Sequence, residues 1–468
     1  MPETFLWYDL ETFGKNCRTT RISQFAGIRT DMELSPVAEP MSFYCRPSDD
    51  FLPEPEAALI TGITPQFASA HGLCEADFMA KVHEQLSEPG TCALGYNSIR
   101  FDDEFIRFSL YRNFYDAYER EYAGGNSRWD LLDVMRMMYA LSPDSLQWPL
   151  RVDGQPSFKL EHLAKANGCF EGEAHEALSD VRSLINIARK VRAAAPSLWQ
   201  HCLDLRDKGT VAAKLAMHKN QRILHVSGQF PAAQACTGLM LPLMPHPLIK
   251  TRTLAVELRP EALKLIDYTP EQIEQNIFTR SSQMPEGEKR IGLKEIHHNR
   301  CPVLFEPDDA KALGLTLDLD RLCIDIRQAQ DIHARLHAAS ESIMHKLAKV
   351  FARSREFDNS DPDGALYSGF FDRSDKAKFS KARASHGQAE LAFNDGRLSE
   401  MYFRYKARNW PESLDGQEQA LWRKYRTERL NPEILQAYVA QCDALIAENP
   451  AQSAVLQALK DWSAQITA

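Results

Sequence analysis

Two acidic residues near the start of the chain have the spacing of metal ligands on a β-strand. The run 4–14 is rich in aromatic and branched residues, which is typical of a strand, and Asp9 and Glu11 lie within it. Side chains alternate between the two faces of a strand, so both carboxylates point the same way. Two like charges held together are costly in a fold unless a cation lies between them. The pair therefore indicates a divalent metal site, with a hydrated strand end as the alternative.

A second acidic group follows a later strand. The segment 91–97 predicts a strand, and Asp102, Asp103 and Glu104 come after it at the start of an apolar-periodic helix. The amide groups and dipole of a helix start favour negative charge, so an acid there often serves only as a cap. The residues alone do not choose among these three acids as a metal ligand.

A histidine and an acid share a third segment. The pattern predicts a helix that starts near Ala174, with His175 at its beginning and Asp180 about a turn and a half later. Together with the upstream acids, His175 becomes a candidate proton acceptor. Four acids and one base suit phosphodiester hydrolysis, because two divalent cations about 3.5–4 Å apart can align water and neutralise charge between carboxylate ligands.

The rest of the chain predicts the elements that position these residues. At 468 residues, two or three domains are expected. Three strands, formed by 4–14, 21–30 and 41–46, predict an antiparallel start, and the later alternation with helices indicates a mixed α/β sheet. The predicted domains are 1–196, a mixed α/β domain; 197–350, a small β-rich, barrel-like domain with a helical insertion and one long closing helix; and 351–468, an all-helical domain.

Composition and charge narrow the class of protein. The chain is 44% hydrophobic and 25% charged, with no apolar run of about 20 residues and no basic leader, so we expect a cytoplasmic protein without membrane association. Ten cysteines without a C-x-x-C pair indicate reduced thiols, and His297, His298 and Cys301 lack a second cluster to complete a zinc site. The net charge is -9, made up of about -10 in residues 1–200 and about +1 in residues 201–468, and this concentration of acid suits a metal-binding domain in the first part of the chain.

The acidic motifs resemble those of the DEDDh exonucleases of the ribonuclease H-like superfamily. Over nearly its full length the chain is also similar to the bacterial exonuclease I family, for example at 126–133, 157–163 and 366–371. Each motif alone is weak, but all of them occur in order. The matching motifs are Asp9-Leu10-Glu11-Thr12, Asn97-Ser98-Ile99-Arg100-Phe101-Asp102, His175-x-x-x-x-Asp180 and the loop Thr61-Gly62-Ile63-Thr64.

The resemblance implies a role for each matched residue. Asp9, Glu11 and Asp180 would hold one Mg²⁺, Asp9 would bridge to a second near Asp102, and His175 would take the proton from the attacking water. Mn²⁺ is a possible substitute for the two Mg²⁺ ions. The residues implied to contact the substrate are Glu11, Thr61, Arg107, Tyr118, Tyr122, Arg136 and Lys159.

The resemblance also implies a fold and an activity. It implies a ribonuclease H-like exonuclease domain, a small Src-homology-3-like barrel and a helical C-terminal domain around single-stranded DNA. The activity would be Mg²⁺-dependent 3′→5′ removal of 5′-mononucleotides from single-stranded DNA, in repair and recombination, by a monomer. The expected partner in this family is single-stranded-DNA-binding protein. The residues themselves show that Arg404 and Arg408 share a helix face and that Arg423, Lys424, Arg426 and Arg429 form a second basic patch, which would track DNA or dock the acidic tail of a partner, with a solvated helix face as the alternative. The alternatives are a DEDDh ribonuclease that trims RNA 3′ ends and a non-catalytic DNA-binding scaffold.

Overall fold

The computed structural model describes residues 3–172, 176–352 and 361–467. Its strands and helices, numbered in chain order, are distributed over the whole described chain. The strands are β1 (Thr4–Thr12), β2 (Ile22–Thr30), β3 (Met41–Tyr44), β4 (Thr91–Gly95), β5 (Ser127–Asp130), β6 (Ile223–Val226), β7 (Thr237–Pro245), β8 (Arg252–Glu257), β9 (Leu293–His297) and β10 (Val303–Phe305). The α-helices are α1 (Pro55–Thr61), α2 (Pro65–His71), α3 (Glu75–Ser87), α4 (Asp102–Arg112), α5 (Leu131–Leu141), α6 (Leu160–Ala166), α7 (Ala177–Ala194), α8 (Pro196–Asp204), α9 (Lys208–Lys214), α10 (Lys264–Asp267), α11 (Pro270–Phe278), α12 (Pro307–Ala312), α13 (Ile326–Ala338), α14 (Ser340–Val350), α15 (Arg373–Lys376), α16 (Phe379–Ala384), α17 (Gly396–Asn409), α18 (Gly416–Arg429), α19 (Pro432–Glu448) and α20 (Ser453–Thr467).

The chain forms two compact units. The first unit comprises Met1–Ser127, Phe170–Ile185 and Phe357–Ala468, and the second comprises Arg128–Cys169 and Asn186–Glu356. The predicted domain limits at 196 and 350 stay a prediction. No helix within the described ranges is long and apolar enough to cross a membrane.

The sheet of the first unit is centred on β1. Its strands lie in the order β3-β2-β1-β4, with β1 antiparallel to β2 and parallel to β4. Phe5, Leu6 and Trp7 are fully buried, as expected for a central strand covered on both faces. The predicted antiparallel start and mixed sheet are therefore confirmed.

The C-terminal helices belong to the same unit as this sheet. Phe114, which follows α4, packs its ring against those of Phe379, Tyr402 and Tyr405. The interpretation of Arg404 and Arg408 as surface cations is wrong, because both side chains are buried. Their guanidinium groups pair with aspartates inside the unit, so they are not available to a partner's acidic tail.

The second unit contains an antiparallel sheet of short strands in the order β10-β6-β7-β8-β9. The predicted single closing helix is wrong, because α13 ends and α14 begins on either side of Ala339. The last buried leucine of α13, Leu336, and the first buried isoleucine of α14, Ile343, are seven residues apart. Seven residues make about two helical turns, so the two side chains lie on the same face as they would in one continuous helix. The hydrophobic pattern therefore could not reveal the break.

Candidate active site

Three carboxylates converge at one edge of the central sheet. Asp9 and Glu11 lie in the carboxyl half of β1, and Asp180 lies in the first turn of α7. Their ligand oxygens all lie within 4.8 Å of one another. The strand spacing aligns the first two side chains on one face, whereas the third reaches them only through the tertiary fold.

The electrostatics of this group favour a bound cation. Burial, followed by the charges of Asp180 and Glu176, raises the pKa of Asp9 well above its usual range. Burial and the neighbouring carboxylates, Asp9 first among them, raise the pKa of Glu11 to about 9. Crowded, buried oxygens of this kind suit a hard divalent cation, whose charge favours their ionised form. The donor set therefore fits the predicted metal.

Glu176 is a further acid near this group that the sequence analysis did not single out. Its carboxylate accepts hydrogen bonds from the backbone N–H of Ser179, at 2.7 Å, and from the Ser179 hydroxyl, at 2.5 Å. It thereby caps the helix that carries Asp180. Gly172 makes room for this turn, since its φ is 82° and a Cβ there would lie 2.1 Å from the Ser179 hydroxyl oxygen. In the sequence, this cap is indicated by Glu176, an acid three residues before Ser179 at the start of a predicted helix.

Asp102 is the first residue of α4 and is only 4% exposed. It lies outside the group of three that converge. Because β1 and β4 run parallel, the carboxyl half of β1 and the segment after β4 share one edge of the sheet. The last residue of β4 lies close to β1, since a Cβ at Gly95 would lie 2.7 Å from the carbonyl oxygen of Tyr8. Asp102 therefore lies at the same edge of the sheet as Asp9.

The acid that follows Asp102 has structural partners. Asp103, 1% exposed, accepts hydrogen bonds from the Tyr8 hydroxyl, at 2.9 Å, and from the Arg120 guanidinium, at 2.5 Å. Burial, followed by the charge of Asp103, raises the pKa of Tyr8 well above its usual value, so this hydroxyl stays a donor. Asp103 therefore fixes the start of α4 against β1.

Glu104 and Arg107 are tied into a second buried network. The Arg107 guanidinium donates two hydrogen bonds to Glu121, at 2.7 and 3.0 Å, and one to Glu104, at 2.6 Å. Glu104 also accepts a hydrogen bond from the Tyr367 hydroxyl. Arg107 is 7% exposed and lies over the Tyr118 ring, 5.3 Å from its centroid. In this structure the guanidinium thus binds carboxylates, while its predicted role at DNA stays a prediction.

The other predicted contact residues differ in exposure. Tyr122 is 64% exposed, and the Thr61 hydroxyl accepts a hydrogen bond from the backbone N–H of Ile63 at 3.1 Å. In the second unit, Arg136 pairs with Asp133 at 2.5 Å, and Lys159 is exposed at the start of α6.

His175, the predicted proton acceptor, lies outside the described residues.

Known protein families and relatives match nearly the whole length of the chain. Residues 6–188 match the family described as Exonuclease, residues 206–353 match the Exonuclease I SH3-like domain, and residues 360–466 match the Exonuclease I C-terminal domain. The exodeoxyribonuclease I of Escherichia coli is 37% identical, over 99% of this chain and 98% of the relative. That of Haemophilus influenzae is 35% identical, with the same coverage.

Solved structures give the same result. The structure of E. coli exonuclease I in complex with a dA16 oligonucleotide superposes with a TM-score of 0.92, at 37% identity, over 99% of this chain and 100% of that one. A zinc-ion-bound form of the E. coli exonuclease complex with single-stranded DNA has a TM-score of 0.91, at 37% identity and full coverage of both chains. A structure of SSB/exonuclease I with the inhibitor CFAM has a TM-score of 0.88, at 36% identity and full coverage.

The fold and the carboxylate cluster define a metal-dependent exonuclease. The predicted fold class is confirmed, with an exonuclease domain of mixed sheet and helices, an SH3-like domain and a helical C-terminal region. The chain belongs to the exodeoxyribonuclease I family, as the sequence motifs predicted. The predicted enzyme class is confirmed by the same relatives.

The raised pKa of Glu11 predicts how metal binding depends on pH. The metal-free carboxyl has a pKa of about 9, above its unfolded value, so it stabilises the fold while protonated and this contribution is lost as the pH rises toward 9. A divalent cation favours the ionised form and competes with the proton. We expect the increase in Tm on adding Mg²⁺ to be larger at pH 8.5 than at pH 6. Thermal unfolding with and without 5–10 mM Mg²⁺, roughly the range that saturates such sites, against KCl at equal ionic strength, tests this. A larger increase at pH 6 contradicts it.

Proposed function

We propose that the protein is a Mg²⁺-dependent 3′→5′ exonuclease that degrades single-stranded DNA to 5′-mononucleotides. The observation that carries the proposal is the convergence of Asp9, Glu11 and Asp180 within 4.8 Å, in a chain of the exodeoxyribonuclease I family. The oligonucleotide and single-stranded-DNA complexes of its E. coli relative support the choice of substrate.

In the proposed mechanism, Asp9, Glu11, Asp102 and Asp180 are the residues that would hold the cations. When bound, divalent cations neutralise the charge that develops on the phosphoryl group and activate the attacking water. The chain holds the carboxylates rigidly, since two lie on a buried central strand and Asp180 lies on a capped helix. His175 would accept the proton of the attacking water.

The experiment that tests the activity uses 3′-labelled oligonucleotides of one sequence as DNA and as RNA. We expect release of labelled mononucleotide from the DNA with Mg²⁺ and none with EDTA. Faster release from the RNA would favour the ribonuclease alternative, for which a contact to the 2′-hydroxyl is required. Binding without any release in Mg²⁺ or Mn²⁺ would favour the non-catalytic scaffold. A 5′-labelled strand that keeps its label and shortens in single-nucleotide steps would show that nucleotides are removed from the 3′ end.

We also propose that the protein works in DNA repair in the cytoplasm as a monomer and binds single-stranded-DNA-binding protein. The solved structure of SSB/exonuclease I supports this partner. Of the predicted basic patch, Arg423 and Lys424 are exposed on α18, so an acidic tail could still reach these two residues. The three domains at 1–196, 197–350 and 351–468 are part of the same proposal.

A further inference from the structure

The segment of residues 53–66, called here the bridging segment, is attached on one side to the strand that carries the metal-binding acids. The carbonyl oxygen of Phe13, two residues after Glu11, accepts a hydrogen bond from the backbone N–H of Glu54 at 2.7 Å. Phe13 packs its ring on that of Phe51, with centroids 5.7 Å apart, and Ile63 belongs to the same apolar cluster. A displacement of the segment therefore acts directly on the end of β1.

On its other side the bridging segment is held by the last two helices of the chain and by the turn that joins them, which contains Gln452. The Tyr438 hydroxyl on α19 donates to the carbonyl oxygen of Pro53 at 2.8 Å, and the Gln452 side chain donates to that of Leu59 at 3.2 Å. The Gln66 side chain donates to the carbonyl oxygen of Ala458 on α20 at 2.7 Å. The bonds to Pro53 and Leu59 hold carbonyl groups of the segment itself and so fix the path of its main chain, whereas the Gln66 bond ties a side chain of the segment to the backbone of α20.

The bridging segment needs such external support. Helices α1 and α2 have seven residues each, and isolated helices of that length are unstable in water. They are joined through Gly62, whose φ of 69° ends α1. The carbonyl of Leu59 is among the last four of α1, which lack a partner within the helix, and Gln452 supplies its donor. Ala58 is buried among Tyr438 and other apolar residues of α19 and α20.

We infer that α19 and α20 hold the bridging segment against the metal-binding strand, and that Tyr438 and Gln452 are positioning residues for cleavage. The segment carries the loop 62–64, in which Ile63 packs in one apolar cluster with Phe13, the residue after β1. A shift of the reacting groups by about 1 Å can lower an enzymatic rate by about 100-fold, so a loosened segment reduces turnover without any change in the acids themselves. This inference rests on the proposed nuclease function.

The test compares two buried tyrosines that make the same bond. The variant Tyr438→Phe/Gln452→Ala removes the two donors to the bridging segment. The control Tyr402→Phe removes a hydroxyl that donates to Ala389 O, also at 2.8 Å, entirely within the C-terminal helices. Tyr438 and Tyr402 are 7% and 6% exposed, so the two Tyr→Phe changes should lower Tm by similar small amounts, and Gln452→Ala should add only the loss of its hydrogen bond to Leu59 O. At 25 °C we expect kcat to fall about fivefold in the double variant, with KM within about twofold, and no change in kcat for the control.

A second measurement does not depend on activity. Amide hydrogen exchange across residues 53–64 should be faster in Tyr438→Phe/Gln452→Ala than in the wild type, and unchanged in Tyr402→Phe. Equal kcat values for the double variant and the control, or unchanged exchange in the bridging segment, would overturn the inference. An inactive wild-type protein with faster exchange in the double variant would instead refute the proposed nuclease function, while the conclusion that α19 and α20 hold the bridging segment would stand.

Discussion

Replacing Asp9 by asparagine lowers the rate of nucleotide release from single-stranded DNA by about 1,000-fold or more, while the affinity for the strand changes only severalfold. Asp9 is the acid implied to contact both cations, and its carboxylate lies within 4.8 Å of those of Glu11 and Asp180. Loss of one charged ligand weakens the stabilisation of the transition state by about 4 kcal/mol or more, which corresponds to that factor. Single-turnover release from a 3′-labelled oligonucleotide measures the rate, and binding in EDTA measures the affinity.

The same substitution should stabilise the protein without metal. Burial and then the neighbouring carboxylates raise the pKa of Asp9, so ionisation of this carboxyl costs stability, and asparagine removes that cost at any pH above the raised pKa, where the comparison is made. We expect Tm in EDTA to rise by about 2–4 °C, the change that corresponds to about 1 kcal/mol, and the increase on adding Mg²⁺ to disappear. The control Asp331→Asn changes an acid whose side chain is 70% exposed in the second unit and should alter neither rate nor Tm. Retained turnover in Asp9→Asn would remove this residue from the site.

The part of the site that could be predicted from residues alone is the part that is local in the chain. The alignment of Asp9 and Glu11 follows from the two-residue period of a strand. Their meeting with Asp180 depends on how a helix more than 160 residues later packs against that strand, and only the resemblance to a family indicated it. The choice of Asp102 over Asp103 also depended on the resemblance, because the side chains that bind Asp103, those of Tyr8 and Arg120, are distant in sequence.

The error about Arg404 and Arg408 has a physical origin, because the partners of these charged side chains lie elsewhere in the chain. Both guanidinium groups donate to Asp363, which lies 41 residues from Arg404 and 45 from Arg408. A helix pattern shows that two arginines share a face but not whether carboxylates cover that face. A basic patch predicted from a sequence is therefore a surface patch only where buried acids do not bind its members, and of the predicted patch Arg423 is exposed on α18.

Arg408 is the buried cation whose loss should destabilise the protein most. Its guanidinium donates to Asp50 at 2.7 Å and to Asp363 at 2.6 Å, and the aspartate side chains are 0% and 2% exposed. Burial would raise the pKa values of both aspartates, but Arg408 and its neighbours lower them below their usual range. Arg408→Met leaves two charges buried without this partner, at a cost of about 3–5 kcal/mol. We expect Tm to fall by about 10 °C.

The pH dependence separates this electrostatic cause from a loss of packing. A carboxylate with a lowered pKa contributes stability that is present above its unfolded pKa, roughly 3.9, and is lost as the pH falls. In Arg408→Met, the burial that raises the pKa values of Asp50 and Asp363 is no longer opposed by this guanidinium, so both carboxyls take up protons at a higher pH than in the wild type. The difference in Tm between the wild type and Arg408→Met should therefore shrink as the pH falls from 7 to 4, whereas a defect of packing alone would keep it constant. The control Arg423→Met changes an exposed arginine on α18 and should leave Tm within about 1 °C of the wild type. A difference for Arg408→Met that does not depend on pH would show that the long side chain stabilises this unit by filling space, and that the aspartates find other partners.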